Sequence, residues 1–311
     1  MLQRMWRTSP ELIATAALMG VVLAGALAGL AIDSRVITGA PAWLKPAKFA
    51  VSIAIYTVTL AWIFTRFPEW PRMRRIIGWI TALTMVLEMT IIATQAWRGT
   101  TSHFNVGTPL DAVLFSIMGG AIVMQTFSTI AVAVALWRHR FEDLALGRAL
   151  RFGMSITIAG ALIGGLMTRP TTAQLEAARA GGRMTISGAH TVGAPDGGPG
   201  LPGTGWSTEH GDVRVAHFIG LHAIQALPVL VLLLRRGGVA PAERARMMLV
   251  AGPSYAAFCG ILLLQAFRGV PVVAPDASTL AQLAAWSVAT AIGAALALRS
   301  HGATAGQIAT I

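Results

Sequence analysis

Charged side chains are scarce in this chain: they make up 12% of its 311 residues, about half of the roughly 25% usual in a soluble domain. Apolar residues account for 55% of the sequence. This balance excludes an ordinary soluble protein, because a soluble core explains one or two long apolar runs and this chain has eight. Each run is near the roughly 20 residues that cross a bilayer as a helix. The runs are 11–32, 48–67, 76–97, 110–137, 144–168, 213–234, 246–267 and 279–298.

Cysteine is almost absent as well, since Cys259 is the only one. A single cysteine excludes a disulfide within the chain, a thiolate metal cluster and a CxxC redox pair. Because Cys259 falls inside the seventh apolar run, we interpret it as a small buried hydrophobe. Soluble appendages and internal repeats are also missing from the pattern. The sequence therefore predicts an all-α, polytopic membrane helix bundle of about eight transmembrane helices, with 1–311 as a single transmembrane domain.

Basic residues outnumber acidic ones, 24 to 13, which gives a formal charge of +11. Their placement excludes a nucleic-acid partner, because four arginines lie in each of the gaps after the second, fourth and sixth apolar runs or in the helix ends beside that gap. Short basic loops remain in the cytoplasm. We therefore predict that the N- and C-termini are cytoplasmic, that the protein lies in a bacterial inner membrane, and that its main partner is the lipid bilayer.

The longest gap between the runs, residues 169–212, is extracytoplasmic in this topology. It begins with a predicted short helix at 172–180 and continues through a stretch dense in glycine and proline. Long irregular loops are usually lids, binding loops or disordered segments. The embedded His190, Trp206 and His210 favour a folded cap over disorder.

A carboxylate lies deep in the third apolar run. Glu88 is ten residues before Arg98, which places it about 15 Å deeper at 1.5 Å per residue. A carboxylate at that depth must be protonated or paired with a cation. Glu88 is therefore either a proton carrier or a neutral hydrogen-bond donor that holds two helices together, and we take it as a candidate catalytic residue.

The sixth apolar run carries the most polar residues. Arg214, His217, His222 and Gln225 share an arc of about 140° at 100° per residue, and the opposite face is apolar. His217 and His222 are five positions apart. They diverge in a regular helix and cannot bind one ion as neighbours in the manner of HExxH. Pro228 removes a backbone donor and predicts a kink beneath this arc.

We expect these side chains to meet in a pocket that opens to the extracytoplasmic side. Three histidines are candidate metal ligands: His103, His217 and His222. The second candidate catalytic residue is His222. It would act as an acid/base group, and Glu88 would carry the proton. Five donor or cationic residues are candidates for binding a cofactor or an anionic substrate group: Lys48, Gln95, Arg98, Arg214 and Gln225.

Three classes of function fit such a pocket. Neutral imidazole is the commonest metal ligand, so the first is a membrane enzyme that depends on a metal ion, zinc or copper, or on haem. The second is a site without catalysis that clamps the phosphate or carboxylate of an anionic lipid or small molecule. The third is a proton-coupled transporter built around Glu88. A structural subunit whose polar residues only join helices remains as a further alternative.

Four stretches carry a resemblance to known sequences: WLKPAKF (43–49), RGTTSHFN (98–105), HTVGAPDGGPGLP (190–202) and HFIGLHAIQALP (217–228). Together they resemble an uncharacterised family of multi-pass membrane proteins from high-GC bacteria, which implies membrane topology and no particular activity. The chain is weakly similar to membrane zinc hydrolases of the ceramidase and progestin-receptor type, but His217 and His222 do not match their HxxxH pair. It also resembles haem A synthase in its eight-helix layout, although the histidines of that enzyme recur on more helices.

Overall fold

The computed structural model describes residues 1–66 and 69–299, and these residues are mainly helical. Within them, seven helices are long and apolar enough to cross a membrane, and a bent pair forms an eighth span when its two helices are taken together. This confirms the predicted all-α, multi-pass membrane helix bundle. In chain order the helices are α1 (Leu2–Thr8), α2 (Pro10–Ile32), α3 (Leu44–Phe64), α4 (Pro71–Arg98), α5 (Pro109–Arg138), α6 (Leu144–Leu166), α7 (Thr172–Arg179), α8 (Val213–Leu221), α9 (Ala223–Arg236), α10 (Pro241–Phe267) and α11 (Ala277–Leu298).

Among the described residues, prolines open four of the spans, α2, α4, α5 and α10. Pro71 and Pro241 occupy the first turn of α4 and α10, where the missing N–H leaves no helical hydrogen bond unmade. Both helices begin five residues before the predicted starts at 76 and 246, because the arginines after each proline are helical rather than part of a loop. The second predicted span corresponds to α3, and its predicted end at Phe67 lies outside the described residues.

Helix α6 is central to the second half of the bundle, where it packs against α5, α8, α9 and α10. Its glycines allow a close approach of the backbones. A Cβ on Gly160 would lie 2.7 Å from the carbonyl carbon of Gly220, and a Cβ on Gly153 would lie 2.9 Å from the Cα of Ile224. Small residues at such contacts let transmembrane helices pack at short distance.

The eighth span is broken at His222, where α8 and α9 meet at an angle of 50°. Two carbonyls beside the break accept hydrogen bonds from side chains of neighbouring helices. Ile219 O accepts from the Tyr255 hydroxyl at 2.7 Å, and Leu221 O accepts from the Thr157 hydroxyl at 3.2 Å. Such side-chain partners are what allow a broken helix to persist at membrane depth.

Pro228 does not mark the bend. It lies inside α9, and the two helices meet before it. The predicted kink at Pro228 was therefore wrong in position. The close contact between Gly220 and Gly160 lies directly beside the bend, so backbone packing against α6 accompanies the change of direction.

Residues 169–212 form a folded cap over one end of the bundle, as the sequence favoured. A hairpin of β1 (Val36–Ile37) and β2 (Ala40–Pro41) lies beside the cap. Within the cap, α7 confirms the predicted short helix, and β3 (Thr191–Val192) pairs antiparallel with β4 (Gly211–Asp212). Both of these strands contact α10. The end of the bundle covered by these segments is called the cap end below.

Candidate functional site

Two backbone carbonyls of the cap are held by cations from the bundle. Lys48 Nζ on α3 donates to Thr204 O at 2.8 Å, and Arg214 Nη2 on α8 donates to Gly205 O at 2.6 Å. Arg214 also makes a bidentate contact with the buried Asp212 carboxylate, at 2.9 and 2.5 Å. The charge of Arg214 is therefore matched. Lys48 has no carboxylate within ion-pair distance in the part of the chain that the structure describes.

A second lysine contacts a predicted site histidine. Lys45 Nζ lies 3.0 Å from His103 Nδ1, and the Ser102 hydroxyl lies 3.1 Å from the same nitrogen. Because a lysine ammonium has only donors, Nδ1 accepts and the proton of the neutral ring is on Nε2. Burial, followed by the charges of Lys45, His190 and His217, lowers the pKa of His103 well below its ordinary value. His103 is therefore a neutral donor at neutral pH.

The cap contributes a histidine of its own. His190 Nδ1 lies 2.6 Å from Asp196 Oδ2, and the backbone N–H groups of His190 and Thr191 donate to the same carboxylate. Burial lowers the pKa of His190, and the Asp196 carboxylate opposes that shift. Burial alone would raise the pKa of the Asp196 carboxyl, but its hydrogen bonds hold the pKa below the usual range. Asp196 is thus ionised, and its carboxylate oxygens already accept hydrogen bonds from other groups of the cap.

His217 has a fixed orientation against α6. Its Nδ1 lies 2.7 Å from Gly160 O, and a Cβ on Gly164 would lie 2.7 Å from its Cε1. A carbonyl only accepts, so Nδ1 carries the proton and the lone pair of the neutral ring is on Nε2. The glycine pair of α6 therefore makes room for an imidazole whose acceptor nitrogen points away from the backbone partner.

The remaining polar residues of the predicted arc face other neighbours. The His222 ring lies at the break, with its centroid 4.4 Å from that of Phe218. Gln225 Nε2 donates to Thr59 Oγ1 at 3.3 Å and joins α9 to α3. The bend divides the arc that would be continuous in a regular helix. Arg214 and His217 lie on the cap side of the bend, whereas His222 and Gln225 lie at and beyond it, where their side chains interact with each other.

Gln95 and Arg98 are at the cap end but have a common partner on α5. Arg98 Nη1 donates to Asp111 Oδ1 at 2.6 Å, and Gln95 Nε2 donates to the same oxygen at 2.9 Å. The second carboxylate oxygen accepts from the Thr108 hydroxyl at 2.7 Å. These contacts join α4 to α5. The predicted binding roles of Gln95 and Arg98 stay predictions, and the contacts described give them a structural role.

Glu88 lies between this end and the interior of the bundle. Its side chain is 2% exposed, and Oε1 has no hydrogen-bond partner among the described residues. The charge of Lys45 acts on it. One turn further from the cap, Thr84 donates to Gln125 Oε1 at 3.2 Å and Gln125 Nε2 donates to the Tyr56 hydroxyl at 3.0 Å. Glu88 thus separates a neutral polar network from the cations beneath the cap.

Metal ligation receives no support from this geometry. Within residues 1–66 and 69–299, no group of three or more histidine, cysteine, aspartate or glutamate side chains is arranged to hold a metal ion. The ligand roles predicted for His103, His217 and His222 stay predictions, as do zinc, copper and haem as cofactors.

One feature of the composition identifies the cations of the site. Lys45 and Lys48 are the only lysines in the chain, and every other basic residue is an arginine. They lie three positions apart at the start of α3, which places them on one side of the helix. Sequence reasoning selected Lys48 and missed Lys45 and His190. Because the chain has only two lysines, the sequence could have indicated Lys45 together with Lys48. The position of His190 near them depends on how the cap folds, which the sequence pattern does not show.

Comparisons with family models, with curated proteins and with solved structures found no match for this chain.

Proposed function

We propose that this chain is a multi-pass membrane protein that binds a small anionic group, a carboxylate or a phosphate, between α3 and the cap. The observation that carries the proposal is the pair of lysines. Each ammonium has three donors, yet the described contacts use one donor each, to Thr204 O for Lys48 and to His103 Nδ1 for Lys45. Both acceptors are neutral.

In the part of the chain that the structure describes, the carboxylates of the cap form no ion pair with either lysine. Asp212 is paired with Arg214, and Asp196 is bound by His190. Two cations that are partly removed from water and close to each other are costly without a counter-charge. A bound phosphate or carboxylate would provide that charge and accept the remaining N–H donors. Lysine serves as a point-charge ligand of this kind at many phosphate sites.

His103 adds a donor of a different kind. With Nδ1 accepting from Lys45, Nε2–H of the neutral ring is available to an anion. The N–H group donates without adding a third positive charge. The site therefore combines two cations with a neutral donor, which suits an anion with several oxygen atoms.

The test uses the fact that the chain has two lysines. Reductive methylation with ¹³C-formaldehyde labels Lys45, Lys48 and the N-terminus, and it keeps the positive charge of each amine. In detergent micelles at fixed ionic strength, phosphate or succinate should shift both dimethyl-lysine NMR signals with saturation, and chloride should not. Lys45→Arg and Lys48→Arg each remove one signal and so assign the spectrum.

A matched control is Arg268→Gln, because Arg268 is a cap-end cation that already pairs with Asp276 at 3.1 Å. This variant should titrate like the unmodified protein. Shifts that are linear in anion concentration and equal for phosphate, succinate and chloride would contradict the proposal.

A proton-coupled carrier is the second candidate, and Glu88 is the observation that favours it. A buried carboxyl group with an unpartnered oxygen, next to a site that binds anions, can exchange a proton as the anion enters or leaves. In proteoliposomes with an imposed pH gradient, Glu88→Gln should abolish uptake of phosphate or succinate while leaving the lysine NMR titration intact. Uptake that persists in Glu88→Gln would exclude this role.

The metal- or haem-dependent enzyme remains a hypothesis with its own measurement. Stoichiometric bound metal, or a Soret band, that disappears in His217→Ala would favour it. For the location, we propose a bacterial inner membrane with the cap on the extracytoplasmic side. The arginine-rich loops at the other end of the bundle support this orientation.

A further inference from the structure

An apolar groove lies between α9, α10 and α11, in the half of the bundle away from the cap. Its volume is about 380 Å³. Helix α11 packs chiefly on α10 and has few buried side chains. The groove therefore opens between α9 and α11 towards the space that the bilayer fills.

The walls of the groove offer only hydrocarbon to an occupant. Its polar atoms already have partners: the Ser254 and Thr290 hydroxyls lie 2.7 Å apart, and Trp286 Nε1 donates to Ser254 O at 2.9 Å. The Tyr255 hydroxyl donates to Ile219 O at the helix break. A lining of this kind favours an alkyl chain over water.

Arginines surround the end of the groove that is remote from the cap. Arg246 Nε donates to Ala297 O at 3.0 Å, one turn beyond Ala294 in the groove wall. Arg244 lies three residues before the lining residue Met247, and its Nη1 donates to a backbone carbonyl at 2.7 Å. Three further arginines are exposed around this end: Arg235, Arg236 and Arg299.

These arginines lack carboxylate partners. In the described part of the chain, neither Arg244 nor Arg246 is within ion-pair distance of an acidic side chain, and Arg244 Nε is buried without a hydrogen-bond partner. The nearby Glu243 accepts from the backbone N–H of Ala240 and so caps its own helix. An apolar groove thus ends at a cluster of unmatched guanidinium groups.

We propose that the groove and this arginine cluster bind an anionic phospholipid, with one acyl chain between α9 and α11 and the phosphate at Arg244 and Arg246. Basic pockets between transmembrane helices are typical sites for anionic headgroups, and the guanidinium fork matches phosphate oxygens. A zwitterionic lipid would bring an additional positive charge towards the same arginines. The site should therefore select anionic over zwitterionic lipid.

Native mass spectrometry tests the headgroup half of the proposal. Protein from micelles with equal amounts of phosphatidylglycerol and phosphatidylcholine should retain phosphatidylglycerol preferentially. The double variant Arg244→Gln, Arg246→Gln should retain about tenfold less, since charged hydrogen bonds are lost. Arg244→Lys with Arg246→Lys should keep a preference, and Arg138→Gln with Arg140→Gln, at exposed arginines elsewhere, should change nothing. Equal retention of the two lipids by the unmodified protein would overturn the proposal.

A second pair of variants tests the acyl-chain half. Ala251→Phe fills the groove and should reduce phosphatidylglycerol retention. The control Ala295→Phe adds the same ring to an exposed position of α11 and should leave retention unchanged. Retention that is insensitive to Ala251→Phe would overturn the proposal. Loss of a dimer rather than of lipid in Ala251→Phe would also overturn it, because the occupant would then be a second copy of the chain.

Discussion

Lys45 Nζ donates to His103 Nδ1 across 3.0 Å, so the partner of this ammonium is a neutral imidazole. The Phe49 ring lies against both groups, with its centroid 5.7 Å from that of the His103 ring and 5.9 Å from Lys45 Nζ. Protonation of His103 would remove the acceptor and place two cations in contact. Below pH 6.5, the ordinary pKa of histidine, the folded protein therefore keeps His103 neutral, whereas the unfolded chain binds a proton at this residue.

Stability should fall as the pH is lowered through the ordinary histidine range. The pKa values of His103 and His190 are lowered from 6.5 in the folded state, mainly by burial. Above pH 6.5 both states have neutral rings, and these groups contribute no pH dependence. Below it, the unfolded chain binds protons that the folded chain does not. The free energy of unfolding should then fall by about 1.4 kcal/mol per pH unit for each group.

Thermal unfolding in detergent between pH 5 and 8 measures this slope. His103→Gln keeps an acceptor for Lys45 and cannot titrate. It should therefore reduce the pH dependence of the free energy of unfolding by about 1.4 kcal/mol per pH unit, which is the contribution of one histidine. His210→Gln, at another histidine of the cap, is the comparison variant. An unchanged slope in His103→Gln would show that His103 does not exclude the proton.

Gly160→Ala should destabilise the bundle. A Cβ at this position would lie 2.7 Å from the backbone of Gly220, and overpacking of this kind typically costs about 1 to 3 kcal/mol. Gly165→Ala, on the same helix with open space at the Cβ, should be neutral or stabilising by up to about 1 kcal/mol. Thermal unfolding of both variants gives the comparison, and equal effects would contradict the packing described for α6.

Tyr255→Phe should loosen the break between α8 and α9. The change removes the donor to Ile219 O, and side-chain hydrogen bonds between membrane helices contribute about 0.6 to 2 kcal/mol. Thr157→Val removes the donor to Leu221 O and should act in the same direction. Hydrogen exchange of the amides at 219–225 should increase in both variants. Protection that is unchanged would mean that these hydroxyls do not hold the break.

The orientation of the cap can be measured with a single engineered cysteine. Cys259→Ala gives a background without cysteine, since Cys259 is the only one. In that background, Glu209→Cys on the exposed surface of the cap should react with a membrane-impermeant maleimide in intact cells. Arg140→Cys, between α5 and α6 at the other end, should react only after the membrane is opened. The reverse pattern would place the cap in the cytoplasm.

The helices could be predicted because length and hydropathy are local properties of a run. The sixth predicted span, 213–234, is found as α8 and α9 together. Its break at His222 could not be predicted, since the side chains that bond the carbonyls beside it, Tyr255 and Thr157, belong to other helices.

The candidate site was predictable only in part, for a related reason. Lys48 and Arg214 reach the cap, and the binding roles predicted for them stay predictions. Arg98 lies at the same end and is bound by Asp111. Spacing along a helix gives the depth and the face of a side chain, whereas its partner depends on which helix lies opposite.

The break at His222 also separates α8, which reaches the cap, from α9, which extends towards the other end of the bundle. Helix α8 extends nine residues from it to the cap, a length of about 13 Å at 1.5 Å per residue. A change of 10° in the bend would displace the far tip of α8 by about 2 Å. Arg214 would carry the turn at Thr204 and Gly205 with it while α9 stayed in place, so pivoting at this joint would change the distance between that turn and Lys48.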